Sequence, residues 1–286
     1  MKTIGLVINK HKDNDFAYAK KVIELLTANN FKLYLHSSIS KADVLGVPVL
    51  NEDLFFESCD ALLTLGGDGT LLRVAEKAAM FQKPILGINL GHLGYLAQLE
   101  KNDLDSLITT LLQSDTYESR SMLMISVKNN DNTVSSYYAL NELMLGRKNF
   151  SNMLYASVYS NDEFVYEFKC DGVIFATPTG STAYSMSAGG PIADSNLQDI
   201  IIFTPICEHS MFSKSMIFSS DDTLTCVVTK SPENSFIAVD GKTINSMKDV
   251  KEVIIQKSPY DLLLFKTSQN RFYKVLNNKF GDGGNK

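Results

Sequence analysis

The first third of the chain alternates short apolar runs with segments of helical periodicity. Thr3 to Ile8 is an apolar, β-prone run, and from Asp15 to Leu26 the apolar positions recur at the spacing of one helix face. The alternation continues with apolar runs at Phe31 to Leu35, Ala61 to Leu65 and Pro84 to Ile88, and with helical spacing at Leu71 to Phe81 and Leu104 to Leu111. Strands that alternate with helices predict βαβ units and a parallel, Rossmann-like sheet in an α/β domain.

Beyond residue 120 the helical spacing gives way to short β-prone runs separated by turn residues. The runs are Met122 to Val127, Val134 to Leu145, Leu154 to Ser160, Glu163 to Phe168, Gly172 to Ala176, Ile200 to Phe203, Thr223 to Thr229, Ser235 to Val239 and Val250 to Gln256. A mostly β domain is therefore predicted over residues 119–267. Asn270 to Phe280 is again helical in pattern, and we expect residues 268–286 to pack back on an α/β domain of residues 1–118.

Composition and charge narrow the class of protein. The 286 residues carry a net charge of −5, which argues against a general nucleic-acid or membrane-surface binder, because such proteins present a basic face. No run approaches the ~20 apolar residues that cross a bilayer. The four cysteines and four histidines show no metal-binding spacing, so we expect a reduced, cytoplasmic protein. The acidic pair Glu52-Asp53 is interpreted as solvated loop charge.

Candidate chemistry is concentrated first in a glycine-rich turn, Leu65-Gly66-Gly67-Asp68-Gly69-Thr70, between a predicted strand and a predicted helix. Glycine lets the backbone approach a ligand closely, and the N–H groups at a helix N-terminus favour phosphate. Asp68 is the one carboxylate in the turn and is available to act on a substrate hydroxyl. An ordinary βα turn with Asp68 as its N-cap residue is the alternative.

A second concentration of candidate chemistry runs from Asp171 to Pro191. Seven hydroxyl side chains lie within the eleven residues Thr177 to Ser187, a density that a helix-capping loop does not explain. Because hydroxyls both donate and accept, such a segment can bind ribose hydroxyls and amide edges. Asn141-Glu142 would suit a sugar diol or an adenine edge, with a solvated turn as the alternative for this pair.

Together these segments resemble the NAD kinase family. The resemblance rests on the glycine-rich turn, on residues 87–96, on Asn141-Glu142, on the segment from Asp171 to Pro191 and on residues 204–210, which occur in the order that the family has. The glycine turn is shared with lipid kinases, whereas the run from Thr177 to Ser185 is highly specific. The resemblance implies an α/β N-terminal domain and a β-rich C-terminal domain.

The resemblance also implies an activity, a cofactor and a set of site residues. The reaction is transfer of the γ-phosphoryl group of ATP, or of polyphosphate, to the adenosine ribose 2′-hydroxyl of NAD, with Mg²⁺ as the usual divalent metal, in a homodimer or homotetramer. Asp68 would be the catalytic base. The implied phosphate-binding residues are Gly66, Gly67, Gly69 and Arg73, and the implied NAD-binding residues are Asn141, Glu142, Lys169, Asp171, Thr179, Thr182, Ala183, Tyr184, Ser185 and Ser187.

The chain departs from the family pattern at three places, and two other functions stay open. Glu208 stands where the family commonly has a proline, Lys214-Ser215 where it has Arg-Pro, and Lys242 where many members have a glutamine, so Lys242 receives no role.

A lipid kinase of the diacylglycerol or sphingosine type would share the glycine turn without needing the hydroxyl-rich segment. A non-catalytic NAD(P)-sensing module would gain little from Asp68. No G-x-G-x-x-G follows the first strand and no Walker A motif is present.

Overall fold

The structure is a computed structural model that describes residues 2–39, 42–91, 94–113, 116–149, 151–209, 214–267 and 271–280. It divides into two compact units, one of residues 1–119 with 262–286 and one of residues 120–261. The helices are α1 (Ala17–Ala28), α2 (Glu52–Ser58), α3 (Asp68–Met80), α4 (Leu104–Gln113), α5 (Tyr184–Ser187) and α6 (Arg271–Phe280).

The strands fall into three sheets. In chain order they are β1 (Thr3–Ile8), β2 (Lys32–His36), β3 (Val49–Leu50), β4 (Ala61–Gly66), β5 (Ile85–Asn89), β6 (Leu99–Glu100), β7 (Tyr117–Arg120), β8 (Leu123–Asn129), β9 (Val134–Ala139), β10 (Glu142–Arg147), β11 (Leu154–Ser160), β12 (Glu163–Cys170), β13 (Gly172–Ala176), β14 (Ile200–Ile206), β15 (Met216–Ser219), β16 (Leu224–Lys230), β17 (Ser235–Val239), β18 (Lys242–Ser246), β19 (Val250–Lys257) and β20 (Leu262–Phe265).

The first unit is built on one eight-stranded sheet in the order β3-β2-β1-β4-β5-β20-β7, with β6 beside β5. The pairs β1–β2, β1–β4, β4–β5 and β5–β20 are parallel. Every residue of β4 and β5 is buried, as expected for parallel strands that helices cover on both faces, and this explains their continuous apolar sequence. The predicted α/β class with a parallel sheet is confirmed.

The interpretation of Glu52-Asp53 as loop charge is wrong, because the two residues begin α2. Asn51 caps this helix, its Oδ1 accepting a hydrogen bond from the N–H of Leu54 at 3.1 Å. Carboxylates in the first turn of a helix are favoured by the helix dipole. Asp53 also forms an exposed ion pair with Lys77 at 3.1 Å.

The second unit contains two six-stranded sheets, β15-β14-β13-β10-β17-β18 and β12-β11-β16-β19-β8-β9. Every strand pairing recorded in them is antiparallel. One buried cluster joins inward-facing side chains of both sheets, among them Ile125, Val158, Phe175 and Phe203. This is the face-to-face packing of a β-sandwich, and the predicted mostly β domain is confirmed.

The C-terminal helix α6 packs on the first unit. The ring of Phe272 lies 6.0 Å from that of Tyr95, and Val275 is fully buried. Strand β20, which the sequence analysis did not identify, precedes this helix and adds to the parallel sheet beside β5. Among the described residues, no helix combines the length and the apolar character needed to cross a membrane.

Candidate active site

The glycine-rich turn connects β4 to α3 in the first unit. Gly67 is the N-cap residue in an extended conformation, with φ −142° and ψ −172°, and Asp68 is the first residue of the helix. The N–H of Gly67 donates to the hydroxyl of Thr70 at 3.4 Å. The alternative interpretation of Asp68 as the N-cap residue is therefore wrong, because Gly67 occupies that position. The side chain of Asp68 bonds to another segment instead.

The carboxylate of Asp68 is held by the backbone of the loop that precedes β6. Its Oδ2 accepts from the N–H of Tyr95 at 2.8 Å, and its Oδ1 accepts from Leu96 at 3.1 Å and Ala97 at 3.3 Å. A Cβ atom at Gly94 would collide with this carboxylate, so the loop can close on Asp68 only with glycine there. A carboxylate has about four acceptor positions, and the three donors among the described residues leave one of them open.

Tyr95 links this loop to the C-terminal helix. The ammonium group of Lys279 lies 4.3 Å from the centre of the Tyr95 ring and makes a cation–π contact with it. Phe272 makes an apolar contact with the same ring. Burial, and secondly the charge of Asp68, raise the pKa of the Tyr95 hydroxyl. Helix α6 therefore supports the residue whose N–H group orients Asp68.

Arg73 lies exposed on α3, in the turn of helix that follows Asp68. Its guanidinium is close enough to His36 to contribute to the lowered pKa of that imidazole, after burial as the main cause and against the opposing effect of Glu52. His36 itself is 7% exposed and packs against two phenylalanine rings, so it is a core residue.

The second unit organises Asn141-Glu142 around the partly buried carboxylate of Asp240, which the sequence analysis did not single out. Asp240 accepts hydrogen bonds from the N–H groups of Leu140, Asn141 and Glu142 at 2.9, 2.8 and 3.0 Å. Asp240 has a positive φ of 46° and is followed by Gly241 at φ 76°. This left-handed turn aims the carboxylate at the three consecutive amides.

Glu142 is buried beside Asp240 and keeps one oxygen unsatisfied. The residue is 7% exposed, and its carboxylate accepts from the N–H of Tyr184, whereas Oε2 has no hydrogen-bond partner among the described residues. Burial, and secondly the negative charge of Asp240, raise the pKa of Glu142 from 4.5 to about 7. At neutral pH this side chain can accept a proton or release one, and it has an oxygen to offer a ligand.

The hydroxyl-rich segment is fastened directly to this corner. The hydroxyl of Thr177 donates to the carbonyl of Leu140 at 2.6 Å, and its N–H donates to the carbonyl of Asn141 at 2.9 Å. A Cβ atom at Gly180 would overlap the backbone of Asn141, so glycine permits the two segments to touch. The structure thus brings together Asn141, Glu142 and the start of the predicted NAD-binding segment.

Several hydroxyls of this segment are used inside the protein, which the sequence analysis did not foresee. The hydroxyl of Ser181 donates to the carbonyl of Pro178 at 2.7 Å, and that of Thr182 donates to the carbonyl of Thr179 at 3.2 Å. The hydroxyl of Ser185 is hydrogen-bonded to the hydroxyl of Thr204 at 2.9 Å. Ser185 is fully buried, Thr179 is 6% exposed, and Tyr184 and Ser187 are exposed. A role of these residues in NAD binding stays a prediction.

Lys169 and Asp171 flank the buried Cys170 at the end of β12. Lys169 is exposed, and Asp171 forms an ion pair with Arg147 at 2.9 Å. Burial raises the pKa of the Cys170 thiol to about 12, so it is no nucleophile at neutral pH. A ligand that approaches Asp171 would therefore meet a carboxylate that is already paired with the guanidinium group of Arg147.

The described residues contain no group of three or more His, Cys, Asp or Glu side chains placed to hold a metal ion. His92, Leu93 and Ser210, which belong to the segments that carry the family resemblance, lie outside the described residues.

Comparison with known proteins identifies the family. Residues 4–117 match the ATP-NAD kinase N-terminal domain and residues 140–267 the ATP-NAD kinase C-terminal domain. The chain is 36% identical to the NAD kinase of Caldanaerobacter subterraneus over 281 residues, with 98% of this chain and 99% of that protein covered, and 35% identical to the NAD kinase of Clostridium botulinum, with 98% and 96% covered.

Solved structures show the same fold. The yeast NADH kinase complexed with NADH superposes with a TM-score of 0.87 at 22% identity, covering 100% of this chain and 89% of that one. An NAD kinase from Archaeoglobus fulgidus in complex with ATP gives 0.75 at 24% identity, covering 96% and 97%. Neither a lipid kinase nor a sensing module is favoured by these matches, and the chain belongs to the NAD kinase family.

Proposed function

We propose that this chain phosphorylates NAD on the 2′-hydroxyl of the adenosine ribose, with ATP as the phosphoryl donor, and so forms NADP. The geometry of Asp68 carries the proposal, since three backbone N–H groups fix its carboxylate and leave one acceptor position. Family membership supplies the reaction class, and Asp68 supplies the group that the reaction needs.

Asp68 acts on the acceptor hydroxyl. Phosphoryl transfer asks the protein mainly for positioning and charge stabilisation. As the 2′-oxygen bonds to the γ-phosphorus, the hydroxyl proton passes to the carboxylate of Asp68. Because three backbone N–H groups hold the Asp68 carboxylate in one orientation, positioning of the acceptor hydroxyl is the larger part of its effect.

The donor phosphates are assigned to the glycine turn, with the backbone of Gly66, Gly67 and Gly69 and the charge of Arg73. The described side chains include no cage of carboxylates, and the oxygens of Asp68 are mostly occupied, so the protein itself does not fit a resident Mg²⁺ ion. We infer that Mg²⁺ enters as part of the nucleotide substrate, held by phosphate oxygens and water.

NAD binding is assigned to the second unit. The unsatisfied Oε2 of Glu142 suits a ribose diol, because hydroxyls donate readily to a carboxylate. Asn141 supplies an amide beside it. The remaining proposed contacts are Lys169, Asp171, Thr179, Thr182, Ala183, Tyr184, Ser185 and Ser187. Where a hydroxyl of this set is already bonded within the protein, the backbone or the residual acceptor capacity of the oxygen makes the contact.

Polyphosphate is a second candidate donor, because the proposed donor site recognises phosphate and charge. We also infer, from the family resemblance, a homodimer or homotetramer in the cytoplasm.

The test is NADP formation by the purified chain with NAD and either ATP or polyphosphate, with and without Mg²⁺. We expect the wild type to form NADP and Asp68→Asn to lose at least 100-fold in kcat while it retains NAD binding, as expected for loss of a positioned acid–base group. Phosphorylation of diacylglycerol or sphingosine in place of NAD, or NAD binding without turnover, would refute the proposal. Near-full activity of Asp68→Asn would refute the role of Asp68.

A further inference from the structure

Lys12 lies beside the glycine turn, in the loop between β1 and α1. A Cβ atom at Gly67 would come within 2.6 Å of the Lys12 Nζ atom, and a Cβ atom at Gly91 within 2.9 Å. The ammonium group therefore lies against two backbone segments that are open to it because both positions are glycine. Gly67 is one of the residues assigned to the donor phosphates.

The sheet topology explains how three separate segments meet at this point. Strands β1, β4 and β5 are parallel neighbours, so their carboxyl ends share one edge of the sheet. Lys12 follows β1, Gly67 follows β4 and Gly91 follows β5. Ligands of parallel α/β sheets bind beyond this edge, and Lys12 is a cation that reaches across it.

Asn9 fixes the loop that carries Lys12. The N–H of Asn9 donates to the carbonyl of Leu65 at 2.8 Å, and its side-chain amide donates to the hydroxyl of Thr70 at 3.2 Å. The N–H of Lys12 donates in turn to the carbonyl of Asn9 at 3.0 Å. The lysine is thus tied to both ends of the glycine turn through a single residue.

The charge of Lys12 is not neutralised within the described part of the chain. The side chain is exposed and forms no hydrogen bond or ion pair with any described residue. The neighbouring carboxylate of Asp13 is turned toward α1, where it accepts from the N–H groups of Tyr18 at 3.2 Å and Ala19 at 2.8 Å. An ammonium ion without a counter-ion at a glycine turn is suited to an anionic ligand.

We propose that Lys12 binds the terminal phosphates of the phosphoryl donor at the glycine turn, an inference that rests on the proposed function. The bond between the γ-phosphorus and its bridging oxygen breaks, the bond to the ribose 2′-oxygen forms, and the proton passes to Asp68. Lys12 forms no covalent bond in this step. It holds the γ-phosphoryl oxygens by charge and hydrogen bonds while the bridging oxygen gains negative charge.

The experiment compares Lys12→Met, Lys12→Arg and Lys10→Met with the wild type. Lys12→Met removes the charge and keeps an apolar stem, Lys12→Arg keeps the charge, and Lys10→Met removes one charge from the same loop as a matched control. The readouts are the Kd of a non-hydrolysable ATP analogue with Mg²⁺ in the absence of NAD, and the KM values for ATP and for NAD. Circular dichroism verifies that each variant is folded.

We expect Lys12→Met to raise the analogue Kd and the ATP KM at least tenfold, with the NAD KM within twofold of wild type. Lys12→Arg should recover most of the loss, and Lys10→Met should match the wild type. Unchanged analogue binding by Lys12→Met, an equal loss in Lys10→Met, or a loss confined to the NAD KM would overturn the inference. Failure of the wild type to form NADP would refute the proposed function instead, because the binding measurement needs no turnover.

Discussion

Replacement of Glu142 by glutamine removes a buried titrating group from the second unit and keeps its shape. Burial, with the charge of Asp240, raises the pKa of Glu142 from 4.5 to about 7. Below pH 4.5 both the folded and the unfolded chain hold the proton. Between pH 4.5 and 7 the folded protein holds a proton that the unfolded chain has released, so the free energy of unfolding falls as pH rises. Above pH 7 this contribution is constant.

The magnitude follows from the width of that interval. Each pH unit corresponds to about 1.4 kcal/mol for one proton, so Glu142 lowers the stability of the wild type by about 3 kcal/mol between pH 4.5 and pH 8. Glu142→Gln has no such titration. The variant should therefore gain about 3 kcal/mol on the wild type over this range.

The assay is urea unfolding of both proteins at half-unit steps from pH 4.5 to 8, under conditions where tyrosine fluorescence and circular dichroism give coincident transitions. Glu163→Gln, at the exposed first residue of β12, is the reference for removal of one carboxylate. If the stability difference between wild type and Glu142→Gln does not change with pH, burial does not hold Glu142 neutral, and the reasoning fails.

Two further predictions concern Asp68 and the cysteines. Gly94→Ala places a methyl group against the Asp68 carboxylate, so kcat for NADP formation should fall at least tenfold with the NAD KM within twofold of wild type; an unchanged kcat would show that the loop does not orient Asp68. Cys207 is exposed, whereas Cys59, Cys170 and Cys226 are buried with raised thiol pKa values. A thiol reagent at pH 8 should therefore modify one cysteine rapidly in the native protein and the others only after unfolding, and a second rapid reaction would contradict the packing of the buried thiols.

The fold was predictable where the pattern is local. For α3 the helical spacing predicted a helix over Leu71 to Phe81, and the structure has it over Asp68–Met80, with Leu71, Val74, Ala75 and Ala78 among its buried residues. The helix begins three residues earlier than predicted because Asp68, Gly69 and Thr70 add no apolar position to the periodic pattern. Strand β20 was missed because four apolar residues show no periodicity and its partner β5 lies far away in the sequence.

The candidate site was likewise predictable only where its residues are adjacent in the sequence, as in the glycine turn. The loop that holds Asp68 acts through backbone N–H groups, so its side chains give no sign of this contact. Asp240 acts on Leu140, 100 residues away, and only its Asp-Gly dipeptide hinted at a special turn. The hydroxyls of Thr182 and Ser185, which were predicted to bind NAD, also form hydrogen bonds within the fold, because composition does not distinguish a hydroxyl that binds a ligand from one that bonds internally.

The placement of β20 and α6 after the second unit sets an order of assembly. During synthesis the first unit lacks β20 until all of the second unit has left the ribosome. Until then the start of β5 near Ile85, which β6 does not cover, presents unpaired N–H and C=O groups that invite association with other chains. Tyr95 gains Phe272 and Lys279 at the same late moment. A nascent or clipped chain without α6 therefore lacks the contacts that support Tyr95, whose N–H donates to the Asp68 carboxylate.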